Sequence, residues 1–215
     1  ARLEYLTSEG FRLDGRRAHE PRRIQCSVGS TALCEADGHA SFQLGETKAL
    51  AYVYGPMEAR QRGQSFHDRA ALSCTLSTAA FSTTVRTSRT RGGDRLSQER
   101  ALSIQQALEK LVLLDQFPRS QIRVFIQVVQ VDGSSVAAAI NAATLALSDA
   151  GIPMRDLLVA STAGLLQGKP VVDLNREEET AGGAQLLVAA FASTRKISVL
   201  EVESKVPEGQ FEPLF

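Results

Sequence analysis

No stretch of this sequence approaches the roughly 20 consecutive apolar residues that a membrane-spanning helix requires. The N-terminal residues ARLEYLTSEG also lack the apolar core of a signal peptide. The three cysteines, Cys26, Cys34 and Cys74, provide neither an even disulfide set nor a Cys-x-x-Cys pair. We therefore expect a soluble protein from a reducing compartment, with no membrane contact and with its cysteines buried as small thiols.

Several motifs for metal binding and hydrolysis are missing as well. The histidines His19, His39 and His67 have no mutual spacing suited to zinc, so no metal site is predicted. The sequence contains no Gly-x-Ser-x-Gly nucleophile elbow. Residues 164–170, GLLQGKP, are one residue short of a phosphate-binding P-loop and place Pro170 where a hydroxyl residue is needed. This segment is predicted to be a hairpin turn.

The hydrophobic content is 43% of 215 residues, which supports a substantial core, and we predict a single domain over 1–215. Alternating apolar residues predict strands, and apolar residues at helical spacing, such as Ile104, Leu108 and Leu111, predict a helix. The predicted strands are 31–36, 40–44, 47–54, 71–81, 122–128, 158–166, 169–174, 186–190 and 197–202, and the first predicted helix is 97–114. This order predicts an α/β (mixed α+β) fold with helices packed on the faces of mixed sheets. The sheets that contain the strands at 47–54 and 121–131 are expected to leave edges that neighbouring subunits can pair or cover.

The segment 131–156, VDGSSVAAAINAATLALSDAGIPMRD, combines a strand end, a tight turn and a second helix. Asp132-Gly133 supplies the turn, Ser134 and Ser135 are good N-cap types, and Gly151 ends the helix. Free backbone N–H groups at such a helix start can hold a phosphate. The alternative is a buried, close-packed alanine-rich helix without a ligand.

This segment resembles the corresponding stretch of the RNase PH-type phosphorolytic exoribonucleases. GFRLDGRRAHEPRRI (10–24), GETKALAYVYGPMEAR (45–60), FPRSQIRVFIQVVQVDG (117–133) and DLNREEETAGGAQ (173–185) resemble the same family in the expected order. The Gly-Gly-Ala-Gln form of the last segment is similar to that of eukaryotic RNA exosome ring subunits. The resemblance implies the RNase PH-like fold. The family's C-terminal helix is expected to be absent, since the sequence stops at Phe215.

The resemblance also implies a chemistry in which inorganic phosphate attacks the last phosphodiester bond at an RNA 3′ end. Active relatives have Gly-Ser-Arg or Gly-Thr-Arg at the helix start, where this chain has Gly133-Ser134-Ser135. They also have two aspartates where this chain has Glu179 and Gln185, and an amide can neither donate a proton as an acid nor bind a cation as an anion. Gly133, Ser134 and Ser135 are therefore predicted to be a phosphate-site remnant, with no catalytic residue and no cofactor.

A gap-free alignment on Glu99 places the family's other phosphate-binding arginine at Leu96. The preceding residue is Arg95, so a shift of the alignment by one residue would put an arginine at this position. Loss of one preorganised stabilising group costs about 10²–10³ in rate, and at least two are missing. We expect a degenerate site. The alternative is an active phosphorolytic 3′→5′ exoribonuclease that uses phosphate and Mg²⁺, with Glu179 and groups from a neighbouring subunit. An RNase PH-like enzyme acting alone on transfer RNA suits the acidic segment poorly.

Basic residues are concentrated in the first part of the chain, although the net charge is zero. Residues 1–100 contain 15 Lys and Arg against 11 Asp and Glu, and residues 101–215 contain 9 against 13. Arginine-rich segments bind phosphate backbones with little regard to sequence, and the resemblance places the loop 56–66 at the entrance of an RNA channel. The predicted RNA-binding residues are Arg60, Arg62, Arg86, Arg89, Arg91 and Arg95.

The resemblance implies partners as well as chemistry. They are single-stranded RNA, other RNase PH-like subunits in a six-membered ring, RNA-binding cap subunits and a separate hydrolytic nuclease. The implied role is to guide RNA through the core in 3′→5′ RNA degradation and ribosomal RNA processing. The implied location is the nucleus, including the nucleolus, and the cytoplasm.

Overall fold

The computed structural model describes residues 5–7, 9–29, 35–58, 66–84, 86 and 95–204. These ranges contain two β-sheets and three α-helices. The predicted first strand at 31–36 lies almost entirely outside the described residues.

The first sheet has five strands, in the spatial order β1-β2-β3-β5-β4. They are β1 (Ile24–Val28), β2 (Gly38–Leu44), β3 (Thr47–Glu58), β4 (Ala71–Thr78) and β5 (Ser120–Gln130). All neighbouring pairs are antiparallel except β4 and β5, which are parallel. Strands β3 and β5 each lie between two other strands, so the edges of this sheet are β1 and β4.

The second sheet has four antiparallel strands in the order β7-β6-β8-β9. They are β6 (Leu158–Leu166), β7 (Lys169–Val172), β8 (Gln185–Phe191) and β9 (Ile197–Glu203). The pairing of Leu166 with Lys169 closes a hairpin on two residues with positive φ, which confirms that 164–170 is a turn and not a P-loop.

Two long helices and one short helix complete the described structure: α1 (Arg95–Leu111), α2 (Ser135–Asp149) and α3 (Arg176–Thr180). The alternation along β5 buries Ile122, Val124, Ile126 and Val128 on one face, as the sequence predicted. Helix α2 packs against this sheet and also against the second one. Its six alanines allow that close approach, since all of them are buried.

A large hydrophobic core contains residues from both sheets and both long helices. The mixed α/β fold class is therefore confirmed, and the start of α2 lies where the two sheets meet. No helix in the described residues is long and apolar enough to cross a membrane.

Two of the three cysteines are described, and they differ. Cys74 is largely buried, and burial raises the pKa of its thiol to about 12. Cys26 is exposed on the edge strand β1, so the prediction of a buried thiol was wrong there. The cause is that every residue of β1 is exposed, and the strand has no core-facing side.

Candidate phosphate and RNA site

The start of α2 is held by an unusual backbone conformation. Gly133 has φ 79°, and a Cβ at this position would lie 2.4 Å from the carbonyl oxygen of Leu174. Ser134 follows with φ 54° and is almost fully buried. The sequence therefore needs glycine at the turn, because no side chain fits between the strand end and the segment before α3.

The Ser134 hydroxyl faces the second sheet and does not cap the helix. It lies 2.5 Å from Thr162 Oγ1, and two acceptors are within reach of its single proton, Asp173 Oδ1 at 3.1 Å and the Leu174 carbonyl at 3.0 Å. These contacts fix the turn and direct the backbone N–H of Ser134 away from the sheet, towards α3.

That N–H donates a 2.7 Å hydrogen bond to Glu179 Oε1. Burial has the largest influence on the pKa of Glu179 and raises it above the ordinary value, while the bond from Ser134 acts in the opposite direction. Gln185 Nε2 donates to the backbone carbonyl of Glu179 at 2.9 Å and holds the end of α3. One of the backbone N–H groups at this helix start is therefore engaged by a carboxylate of the protein itself.

A buried charge network holds the segment before α3. Arg22 Nε donates to Asp173 Oδ2 at 2.9 Å, and Arg22 Nη2 donates to Oδ1 at 2.7 Å. Arg16 Nη1 lies 3.4 Å from the same carboxylate. Burial alone would raise the pKa of Asp173, but the hydrogen bonds and charge of Arg22 hold it below its usual value. The N-terminal segment is thereby tied to the second sheet.

Helix α3 is fixed in the same way by a second buried pair. Arg12 Nε donates to Glu178 Oε1 at 2.7 Å, and both side chains are fully buried. Glu178 and Asn175 also form a reciprocal capping box at the helix start. Glu178 is therefore structural, and its neighbour Glu179 is the carboxylate presented to the start of α2.

A cleft of about 450 Å³ opens beside Ser134 and is lined by α1, the start of α2, α3, β8 and β9. Its charged lining residues among those described are Glu99, Glu179, Glu201, Glu203 and Arg100. Four carboxylates thus face one guanidinium. Among the described residues the lining is therefore predominantly negative, whereas anion sites use an excess of cations and N–H donors.

The structure also shows the position that aligns with the family's other phosphate-binding arginine. Leu96 lines this cleft, while Arg95 is exposed and is not among the lining residues. Arg100, one helical turn after Leu96, is the cation that does line it. The gap-free alignment therefore places an apolar side chain on the cleft-facing side of α1.

Of the predicted RNA-binding residues, Arg86 and Arg95 are described, and both are exposed. Arg60, Arg62, Arg89 and Arg91 lie outside the described residues. None of the six is tested as an RNA contact by this structure, and the assignment stays a prediction.

The family's chemistry raises the question of a metal ion. In the described part of the chain, no group of three or more His, Cys, Asp or Glu residues is arranged to hold one. At the cleft, Gln185 Nε2 donates to the Glu179 carbonyl, and Glu179 Oε1 accepts from the backbone N–H of Ser134.

Sequence reasoning missed three of the charged residues that define this cleft. Glu201 and Glu203 are two apart on β9, and this spacing places both on one face of the strand. Arg100 is four residues after Leu96 and so shares its side of α1. These spacings can be seen in the sequence, but only the pairing of β8 with β9 brings the two glutamates beside α2.

Comparison with known proteins agrees with this architecture. Residues 20–153 match domain 1 of the 3′ exoribonuclease family, RNase PH, and residues 156–213 match domain 2. The chain belongs to this family, and the predicted RNase PH-like identity is confirmed. The boundary between these two family domains falls between α2 and β6. The interpretation of 1–215 as a single domain stays a prediction.

Sequence identity to known proteins shows which members of the family this chain is similar to. The chain is 46% identical to the exosome complex component RRP41 homolog of Arabidopsis thaliana, over 99% of this chain and 87% of that protein. It is 46% identical to the human exosome complex component RRP41, over 99% of this chain and 86% of that protein. The crystal structure of rice Rrp46 has a TM-score of 0.81 at 27% identity, covering 94% of this chain and 89% of that one.

An archaeal structure supports the fold alone. The Archaeoglobus fulgidus exosome with RNA bound to the active site gives a TM-score of 0.80 at 23% identity, covering 96% of this chain and 87% of that one. The RNA named there belongs to that complex.

Proposed function

We propose that this chain is a non-catalytic, RNA-contacting ring subunit of the RNA exosome core. The observation that carries the proposal is the carboxylate-lined cleft, in which Glu179 occupies the N–H at the start of α2. The relatives that share nearly half of its residues are exosome components. The fold is thus retained while the cleft carries the wrong charge for phosphate.

The assembly we propose is a six-membered ring with other RNase PH-like chains, beneath RNA-binding cap subunits. Edge strands support this, because β1, β4 and β9 present unpaired backbone groups among the described residues, and a ring can cover them. A separate hydrolytic nuclease would degrade the RNA that the core guides. We further propose that the complex works in the nucleus, including the nucleolus, and in the cytoplasm.

The RNA path we propose runs over arginines outside the cleft. Arg86 and Arg95 are exposed, and aromatic residues are scarce around the predicted arginine set, so we expect contacts with phosphates more than with base edges. Passage of single-stranded RNA without sequence preference requires this kind of binding.

Co-expression tests the proposal directly. The chain alone and the chain with a second RNase PH-like subunit are purified, and complex mass and RNA affinity are measured on each. We expect a soluble complex that binds single-stranded RNA with a strong salt dependence. A stable monomer that ignores the second subunit, or a complex that does not bind RNA, would reject the function.

A second function, phosphorolytic cleavage, is favoured by one observation. Arg100 lines the cleft near Glu179, whose raised pKa suits a group that donates a proton. In this alternative, a neighbouring subunit supplies the missing phosphate-binding cation. The two functions differ in whether a nucleoside diphosphate is released.

A further inference from the structure

An aromatic and basic cluster lies at the end of the first sheet where β4 begins, away from the carboxylate-lined cleft. Phe66 is 48% exposed, and the guanidinium carbon of Arg69 lies 4.8 Å from its ring centroid. This distance is that of a cation–π contact. The cluster therefore presents a flat ring and a positive charge together at the surface.

A second arginine is fixed onto the same group. The backbone N–H of Arg119 donates to the Phe66 carbonyl at 3.1 Å, and its Nε donates to His67 Nδ1 at 3.3 Å. Arg119 has φ 59°, a conformation that arginine rarely adopts. The turn before β5 thus ties the Arg119 backbone to Phe66 and places the Arg119 side chain against His67, the next residue.

The charges of these two arginines are not neutralised by the described residues. Arg12, Arg16 and Arg22 each form an ion pair with a carboxylate. Neither Arg69 nor Arg119 has a described carboxylate oxygen within 4.0 Å. They contact a ring and an imidazole, which leaves guanidinium N–H groups available to an external acceptor.

We propose that Phe66, Arg69 and Arg119 form a single-stranded RNA contact, in which one base stacks on Phe66 and the arginines bind the adjacent phosphates. Exposed aromatic rings beside cations are the elements that bind single strands without sequence preference. Both arginines can also bind a phosphate through two N–H groups. This inference rests on the proposed function and adds to the predicted RNA-binding residues a stacking ring that they lack.

The test uses the assembled complex and a fluorescent single-stranded RNA, with affinity measured over a range of salt concentrations. Arg69→Gln with Arg119→Gln should lower the log–log salt slope by about 1.4, from roughly 0.7 for each lost phosphate contact. Phe66→Ala should weaken binding roughly fivefold or more and leave the slope unchanged. The matched control is Arg195→Gln, an exposed arginine on the β8–β9 turn with φ 55°, which should change neither quantity.

A photo-cross-link gives a second readout that does not depend on affinity. Phe66→p-benzoylphenylalanine in the assembled complex should cross-link to RNA, whereas Val159→p-benzoylphenylalanine, at an exposed position on the inner strand β6 of the second sheet, should not. Wild-type complex that binds RNA, with unchanged affinity and slope in the variants and no cross-link, would overturn this inference and leave the proposed function standing. Loss of assembly in the arginine variant would also overturn it, because the cluster would then be a protein contact. Failure of the wild-type complex to bind RNA would instead reject the proposed function.

Discussion

Glu179 accepts a 2.7 Å hydrogen bond from the backbone N–H of Ser134, which joins the end of α3 to the start of α2. A phosphate bound to the Ser134 N–H would have to displace that carboxylate. Ser135, at the position where active relatives have arginine, offers no charge that would favour the exchange. The contact and the substitution therefore act in the same direction, against phosphate binding.

Replacing Glu179 with glutamine should reduce the pH dependence of stability. Burial raises the pKa of Glu179 above 4.5. At a pH between the unfolded-state and folded-state pKa values, Glu179 is therefore protonated in the folded protein and ionised in the unfolded chain. Wild-type stability should thus fall as pH rises from about 4.5 through the folded-state pKa. Thermal unfolding between pH 4 and pH 8 should show this fall in wild type and in the exposed control Glu177→Gln, but not in Glu179→Gln. An identical pH profile in all three proteins would contradict the burial effect.

The Arg22–Asp173 pair should be essential for folding stability. Both side chains are at least nine-tenths buried, and Asp173→Asn would leave Arg22 without its charge partner. Loss of one member of a buried pair costs about 3–5 kcal/mol, which urea unfolding measures. The exposed control Asp115→Asn should change the free energy of unfolding by less than about 0.5 kcal/mol. A similar cost for both variants would show that the pair does not hold the fold.

The same pair should make the protein sensitive to acid. The pKa of Asp173 is below its unfolded value of 3.8, so its stabilisation is complete above that pH and is lost as pH falls through the folded-state pKa. Acid unfolding followed by circular dichroism should therefore show a steeper loss below about pH 4 in wild type than in Asp173→Asn. Parallel curves for the two proteins would argue against this contribution.

Gly133 should tolerate no side chain. Its φ of 79° disfavours any L-residue, and an added Cβ would meet the Leu174 carbonyl at 2.4 Å. Gly168 has φ 82° but nothing within 4 Å of an added Cβ, so a substitution there measures only the cost of the backbone conformation. We expect Gly168→Ala to cost about 1–2 kcal/mol and Gly133→Ala to cost several kcal/mol more. Equal losses in chemical unfolding would show that the close approach at Gly133 does not matter.

The described cysteines should differ in reactivity. Cys26 is exposed, whereas burial raises the pKa of Cys74 to about 12 and removes its reactive thiolate. In a Cys34→Ser background, a thiol reagent at pH 8 should label one cysteine of the native protein. Peptide mapping should find that label on Cys26, and rapid labelling of Cys74 would contradict its burial.

Regular periodicity made much of the fold predictable. Strand β5 could be predicted because Ile122, Val124, Ile126 and Val128 alternate with other residues. The hairpin of 158–166 and 169–174 could also be predicted, because a glycine marks its turn. Strand β1 was missed although Ile24, Cys26 and Val28 alternate with polar residues, and the structure leaves all five of its residues exposed. The strand order could not be predicted, because it depends on the parallel pairing of β4 with β5, a long-range contact without a local signal.

The candidate site was only partly predictable. Gly133, Ser134 and Glu179 were found because motifs mark them, and the structure brings them together at one turn. Their charged surroundings were not found, because Glu201 reaches the cleft through the pairing of β8 and β9. The bond between Ser134 and Glu179 is likewise a tertiary contact that spans 45 residues.

The most direct test of the central claim is an assay for phosphorolysis. The assembled complex, with every subunit present except the hydrolytic nuclease, is incubated with a 3′-labelled RNA, inorganic phosphate and Mg²⁺, and released nucleoside diphosphate is measured. The carboxylate-lined cleft predicts no release above a control without protein. Phosphate-dependent release that disappears with Glu179→Ala in an intact ring would show that this chain is a working exoribonuclease.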